Sequence, residues 1–317
     1  MGTLTNGVLV DPLLQFGVLL QCPRCASRLS GMECSVCAFE IHINDGILHA
    51  LPEERSQHFA RFAQDYQFIR AAEGRSSNSD NFYLDLPYHD ITGRNSNQWQ
   101  IRARSYDHLI DHVLYRSVAR GGLILDVGAG NCWMSYRLAL TGYRPVAVDL
   151  VTNGFDGLGA AKHYQVRLPS LFPRFRADME HLPFQDAQFD CAIFNASFHY
   201  SEDYATTLRS VLRCVRIGGL VTISDTPWYS REERGKQMLR ERRAAFLKTY
   251  GTSSDALESQ EFLTDERLRD LEEKLSIRWK VHTPHYGFKW AMRPLKAKLL
   301  RRREPSRFRI YVARKNA

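Results

Sequence analysis

Four cysteines near the N-terminus form two pairs with the spacing of metal ligands. Two residues separate Cys22 from Cys25 and Cys34 from Cys37, and eight residues lie between the pairs. Each Cys-x-x-Cys turn directs two thiolates to one point, and four thiolates complete a tetrahedral zinc site. Such a closed site has no position for a substrate, so we expect a structural zinc ion. The alternative is that the four thiols are unrelated.

A glycine turn further along the chain indicates a site for an organic cofactor. An apolar run from residue 122 to 127 contains Asp126 and continues into Gly128 and Gly130. Glycines let the backbone approach a ligand closely, and ligands of open α/β sheets bind beyond the carboxyl ends of the strands. A dinucleotide site would carry a third glycine where this chain has Trp133. The sequence therefore favours a different ligand, with a cationic amino acid end facing the acid.

Further polar residues follow at the ends of successive predicted strands. Asp149 ends the second strand about twenty residues after the glycine turn, where a carboxylate can bind both ribose hydroxyls. Asp178 and Met179 follow a third element, and Asn195 ends a continuous apolar run typical of a strand buried on both faces. We therefore expect these residues at one edge of a parallel sheet.

Taken in order, these motifs resemble class I S-adenosylmethionine-dependent methyltransferases, especially the branch with the ubiquinone and menaquinone biosynthetic enzymes. The resemblance runs from about residue 106 to 230 and implies a doubly wound, Rossmann-like α/β fold with a mainly parallel seven-stranded sheet. It also implies S-adenosylmethionine as cofactor. On this match the methionine end of the cofactor contacts Asp126, Gly128 and Gly130. The ribose contacts Asp149, and the adenine contacts Asp178 and Met179. The reacting methyl lies at the strand end, Asn195. The family usually has a further glycine where this chain has Cys132.

The predicted catalytic residues directly follow the fourth strand. Methyl transfer needs a base only if the acceptor retains a proton at neutral pH. His199 lies where the family's acceptor is bound and is the predicted base, while Tyr200 would orient the substrate. The alternative for His199 is a structural histidine that bonds to the backbone.

The N-terminal segment has a resemblance of its own. Residues 18–52 resemble the zinc ribbon of the small activator subunit of several tRNA, rRNA and protein methyltransferases, and that of bacterial 23S rRNA guanine methyltransferases. We therefore predict three parts: a zinc ribbon at 1–52, a helical connecting or cap segment at 53–105, and a methyltransferase domain at 106–317.

Composition restricts the environment and the partners. Hydrophobic residues make up 44% and charged residues 25%, as in ordinary soluble domains, and no apolar run is long enough to span a membrane. Seven cysteines, an odd number, favour metal binding in a reducing cytoplasm over a disulfide framework. We therefore expect a cytoplasmic enzyme with S-adenosylmethionine and structural zinc.

The acceptor is less constrained than the cofactor. We predict a small-molecule or lipid-like acceptor; the alternatives are RNA, or a non-catalytic interaction protein with a methyltransferase fold. The net charge is +8, and eleven Lys and Arg against the single acid Glu304 lie between residues 289 and 317. This basic C-terminal segment predicts contact with a polyanion or a membrane surface, unless it is simply a solvated face.

Overall fold

The computed structural model describes residues 17–29 and 31–316. Two parts of the predicted ribbon lie outside the described residues, namely residues 1–16 and Ser30. The last residue of the predicted methyltransferase domain, Ala317, lies outside them as well. Within the described part, no helix is long and apolar enough to cross a membrane.

One mainly parallel sheet organises the described chain. Its strand order is β1-β2-β5-β4-β3-β6-β7-β9-β8. Neighbours from β2 to β7 run parallel, whereas β1 is antiparallel to β2, and β9 is antiparallel to both β7 and β8. The strand bounds are β1 His42–Asn44, β2 Ile47–His49, β3 Leu123–Val127, β4 Arg144–Asp149, β5 Arg174–Arg176, β6 Phe189–Asn195, β7 Val215–Ser224, β8 Trp279–His282 and β9 Ile310–Arg314.

The expectation of seven strands is wrong, because the described residues contribute nine strands to this sheet. The two extra strands form the hairpin of β1 and β2, which lies in the predicted ribbon segment. Leu48 and His49 pair in parallel with Phe175 and Arg176, so the hairpin extends the edge that β5 would otherwise form. Leu20 adds an antiparallel bridge to Phe184. The ribbon segment is thus hydrogen-bonded into the main sheet.

Two apolar cores cover the two faces of the sheet, as a doubly wound fold requires. Alternate residues of β3 point to opposite faces: Leu125 and Val127 belong to one core, and Ile124 to the other. All five residues of β3 are buried, which explains its continuous apolar sequence. The sheet therefore holds the carboxyl ends of β3, β4, β6 and β7 side by side.

Helices before β3 and after β7 border the carboxyl edge of the sheet. The predicted helical connecting or cap segment begins with the long helix α1, which ends at Ala72; a short loop then leads to α2. A π-helical turn, Ile110–Leu114, continues α3. The helix bounds are α1 Glu53–Ala72, α2 Asp80–Asp85, α3 Ser96–Leu109, α4 Tyr115–Ser117, α5 Trp133–Leu140, α6 Tyr204–Cys214, α7 Glu232–Tyr250, α8 Asp265–Leu275, α9 Phe288–Ala291 and α10 Arg293–Leu299.

Candidate functional site

The glycine turn between β3 and α5 has backbone angles that are unfavourable for residues other than glycine. Gly128 and Gly130 have φ values of +73° and +53°, and Cys132 adopts +64°. A Cβ atom on Gly128 would lie 2.3 Å from the Cβ of Ser197, so glycine is required there for space as well as for conformation. Cys132 occupies the left-handed region in which a glycine would be unstrained. The turn thus has a left-handed residue at Cys132, where the family usually has glycine.

Two carboxylates lie on either side of this turn, that of Asp126 buried and that of Asp149 half-buried. Asp126 accepts a hydrogen bond from the Ser135 hydroxyl at 2.7 Å, and burial raises its pKa to about 7 despite that bond. Asp149 accepts the backbone N–H groups of Gly130 and Val151, each at 2.8 Å. Burial likewise raises the pKa of Asp149 to about 6, against the lowering effect of these bonds. Asp149 therefore fixes the glycine turn from the end of β4.

Asp178 forms an ion pair with a residue of helix α1. The Arg55 guanidinium lies 2.7 Å from the Asp178 carboxylate, which also contacts the His181 ring at 2.9 Å and the Glu180 backbone N–H at 2.9 Å. Burial alone would raise the pKa of Asp178, but these hydrogen bonds and the Arg55 charge lower it. The carboxylate is thus ionised at neutral pH.

A cleft opens over these residues at the carboxyl edge of the sheet. Its first lobe encloses about 720 Å³, part of it open to solvent, which is within the range of small-ligand sites. Asp149, Asp178 and Met179 line it, together with apolar side chains. The apolar lining comes from α1, from the segment after β4 and from residues further along the chain: Phe59, Phe62, Tyr66, Leu150, Val151, Tyr200 and Leu257.

A second, polar lobe of about 400 Å³ shares Tyr66, Gly128 and Ala196 with the first. Asp126, Gly130 and Asn195 also line it, so all three predicted methionine-end residues and the predicted strand end lie together. Asn195 is held in place by the Ser224 hydroxyl, which donates to its Oδ1 atom at 3.1 Å.

Helix α3 supplies unpartnered donors to the polar lobe, and helix α1 supplies a paired one. Arg70 of α1 is neutralised by Asp156, whereas Arg102 of α3 forms no ion pair within the described part of the chain. Burial lowers the pKa of Arg102 to about 10, and the nearby charges of Arg70 and Arg75 act in the same direction. The Trp99 indole N–H is buried without a partner in the described structure, and the Arg102 guanidinium lies 4.7 Å from that ring. These donors suit a carboxylate ligand.

The two predicted catalytic residues differ in position. Tyr200 lines the apolar lobe, where its ring lies 5.6 Å from that of Phe62, and burial raises its pKa. His199 is absent from the lining of both lobes, and its Nδ1 atom is buried without a partner among the described residues. Burial lowers the pKa of His199 to about 4. At neutral pH the imidazole is uncharged and a weak base.

The four cysteines of the N-terminal segment form one cluster. The Sγ atoms of Cys22 and Cys37 lie 3.5 Å apart, those of Cys25 and Cys34 lie 3.4 Å apart, and all four lie within 4.8 Å of one another. A tetrahedral ion with Zn–S bonds of about 2.3 Å requires sulfur separations of about 3.8 Å. The donor set and its dimensions therefore fit a zinc ion.

Comparison with known sequences bears on the central region. Residues 125–223, which run from β3 to β7, match the family described as "Methyltransferase domain". This stretch of the chain is a methyltransferase domain. The prediction of such a domain is confirmed, and the glycine turn, Asp149, Asp178 and Asn195 all lie within the matched residues.

Individual relatives of the methyltransferase domain are distant. The malonyl-[acyl-carrier protein] O-methyltransferase of Yersinia pestis is 29% identical over 116 residues, which cover 37% of this chain and 41% of that protein. The enzyme of that name from Erwinia pyrifoliae is 26% identical over 158 residues, covering 50% and 51%. The chain thus spans about half the length of these relatives, or less. The structure of Haemonchus contortus phosphoethanolamine N-methyltransferase 2 with S-adenosyl-L-methionine is 14% identical, with a TM-score of 0.46 over 76% of this chain and 61% of that one.

The sequence did not identify every residue that lines the cleft of the methyltransferase domain. On α1, more than fifty residues before the glycine turn, Phe59 and Arg70 line the cleft and Arg55 pairs with Asp178. Their helical spacing is that of an ordinary packed helix, so only the fold reveals that this face covers the cleft. Trp99 and Arg102 lie in the predicted connecting or cap segment at 53–105, and neither was among the predicted site residues.

Proposed function

We propose that this chain transfers a methyl group from S-adenosylmethionine to a small-molecule or lipid-like acceptor. The observation that carries the proposal is the methyltransferase domain at residues 125–223, with a glycine turn, two acids and a cleft at one sheet edge. Because the named relatives are O-methyltransferases of malonyl-[acyl-carrier protein], an acyl oxygen is the first acceptor atom to test.

The two lobes suit the two ends of the cofactor. Asp149 offers its remaining lone pairs to the ribose hydroxyls, and Met179 in the apolar lobe would contact the adenine. Asp178 accepts one backbone N–H at Oδ1 and would accept the adenine amino group there as well. In the polar lobe Asp126, Gly128 and Gly130 would bind the amino group of the methionine end. Arg102 and Trp99 would donate to its carboxylate.

The chain contributes position and exclusion of water to the reaction. When bound, S-adenosylmethionine supplies a methyl group on a sulfonium, which an acceptor attacks from the face opposite the sulfur. Asn195 lines the polar lobe beside Ala196, a residue that both lobes share, and the reacting methyl is expected there. Tyr200 would orient the acceptor, and His199 would receive a proton only from an acceptor that retains one. A carboxylate acceptor needs no base, which agrees with the weak basicity of His199.

The N-terminal segment would hold one structural zinc ion through Cys22, Cys25, Cys34 and Cys37. Four thiolates leave no open position on a tetrahedral ion, so the metal would stabilise the fold and take no part in methyl transfer. We retain the proposed division into a ribbon at 1–52, a connecting segment at 53–105 and a methyltransferase domain at 106–317, with the ribbon hairpin fused to the sheet.

Two measurements test this function. Calorimetry with S-adenosylhomocysteine tests the cofactor site, and absence of binding would favour the non-catalytic alternative. Methyl-labelled S-adenosylmethionine, incubated with the protein and a lysate of its source cells, tests the acceptor. Label in the organic-soluble or small-molecule pool supports the proposal, whereas label sensitive to ribonuclease supports the RNA alternative.

A further inference from the structure

The connection between β8 and β9 carries an exposed apolar surface. Phe288 and Leu299 are 76% and 75% exposed, and Leu295 and Leu300 are 49% and 50% exposed. Met292, Leu295 and Leu299 recur at helical spacing across α9 and α10 and therefore share one face. Large apolar side chains at such exposure are costly in water unless another surface covers them. We call residues 288–302 the basic segment.

Uncompensated cations accompany these apolar side chains. Six Lys and Arg lie in the basic segment, and no salt bridge between described residues neutralises any of them; the next residue, Arg303, pairs with Glu241. The six are Lys289, Arg293, Lys296, Lys298, Arg301 and Arg302. The Arg293 guanidinium lies 3.7 Å from the centre of the Trp290 ring, and this ring also stacks on Phe308.

The strand register places the basic segment at the same sheet edge as the cleft. His282 at the end of β8 pairs with Ile310 at the start of β9, and Tyr311 pairs with Ile223 near the carboxyl end of β7. The chain between β8 and β9 therefore lies beyond the carboxyl ends of the parallel strands. A contact with α3 supports this position, because the Tyr286 hydroxyl lies 2.8 Å from that of Ser105.

We propose that the basic segment docks the protein on an anionic lipid surface, with its apolar side chains in the interface and its cations against the headgroups. An RNA backbone would satisfy the cations but would leave Leu295, Leu299 and Leu300 exposed. A lipid interface satisfies both, and each cation near such a surface strengthens binding about fivefold. Docking there turns the cleft towards the membrane. The docking inference rests on the proposed function in one respect: a lipid-like acceptor would enter the cleft from the edge of the sheet that faces the membrane.

Flotation of the full-length protein with vesicles tests the docking. We expect binding to phosphatidylcholine vesicles that contain phosphatidylglycerol at low salt, weaker binding at high salt, and little binding to phosphatidylcholine alone. The triple variant K296Q/K298Q/R301Q should bind roughly 100-fold more weakly. The double variant F288S/L299S should bind roughly tenfold or more weakly even at low salt, because it has less apolar surface to bury. Its charge is unchanged, so this loss is not electrostatic.

A matched control carries the same kinds of change at the opposite edge of the sheet. Arg120 and Ile217 are exposed and precede β3 and the buried part of β7, respectively, so R120Q/I217S should bind vesicles like the unmodified protein. Failure of the unmodified protein to float at low salt would overturn the inference, as would equal loss in the control, or binding to RNA without binding to vesicles. S-adenosylhomocysteine affinity, measured on the same preparations, reports separately on the proposed function.

Discussion

Replacement of Asp149 by asparagine separates the role of this carboxylate in the fold from its role in ligand binding. The two carboxylate oxygens accept the backbone N–H groups of Gly130 and Val151. Asparagine keeps one acceptor and presents an amide N–H to the other donor. One backbone N–H is therefore left without an acceptor, which costs about 1–3 kcal/mol of unfolding free energy.

A second contribution to stability has the opposite sign. Burial raises the pKa of Asp149 from 3.8 to about 6, so the ionised group costs the folded protein about 2–3 kcal/mol at neutral pH. For an acid whose pKa is raised on folding, this cost is absent below pH 4 and complete above pH 6. Asparagine removes the cost. The two contributions nearly cancel, so we expect the unfolding free energy of Asp149→Asn to change by less than about 1 kcal/mol at pH 7.5.

Ligand affinity has no such compensation. Loss of one bond between a ribose hydroxyl and a charged acceptor should weaken S-adenosylhomocysteine binding about 10- to 150-fold. Calorimetry gives the affinity, and urea unfolding gives the stability. Asp190→Asn is the matched control, because Asp190 accepts the Leu123 N–H at 2.7 Å, at the amino end of β3 and away from the cleft. Unchanged affinity in Asp149→Asn would refute the ribose assignment, and an unfolded variant would refute the cancellation.

Four further predictions concern separate parts of the site. Arg102→Gln should weaken S-adenosylhomocysteine binding roughly tenfold but leave binding of 5′-methylthioadenosine, which lacks the amino acid end, within about twofold by calorimetry. Because burial raises the pKa of Asp126 to about 7, affinity for S-adenosylhomocysteine should rise as pH increases through 7, and Asp126→Asn should reduce this dependence in a pH series. Cys34→Ser should lower the zinc content, expected at one ion per chain, as elemental analysis would detect. Cys132→Gly should be more stable than Cys132→Ala by about 1 kcal/mol in urea unfolding, since only glycine relieves the positive φ.

The parts of the fold that depend on local sequence could be predicted. The apolar run of β3 and the glycines after it specify a strand and a turn within about ten residues, and β4 and β6 show similarly local patterns. In the turn after β3, Cys132 adopts a left-handed backbone because the surrounding packing overrides the conformational preference of one residue.

The remaining features depend on contacts between distant segments. Arg55 and Asp178 meet across 123 positions of the chain, and neither residue type indicates the pairing by itself. The strands β1 and β2 have three residues each, too few to show which sheet they join. The seven-strand expectation failed there, because pairing with β5 is decided by tertiary packing.

The hairpin of β1 and β2 also covers a strand of the main sheet that would otherwise lie at its edge. Without it, β5 would be an edge strand with unpaired backbone groups, next to a buried apolar core that includes Phe175. Such an edge is a template for pairing with another chain. The cysteine cluster precedes this hairpin by a few residues, so the proposed zinc ion would hold the cover over the edge. Under zinc starvation or thiol oxidation, the expected damage is therefore aggregation through β5 before any loss of the cleft itself.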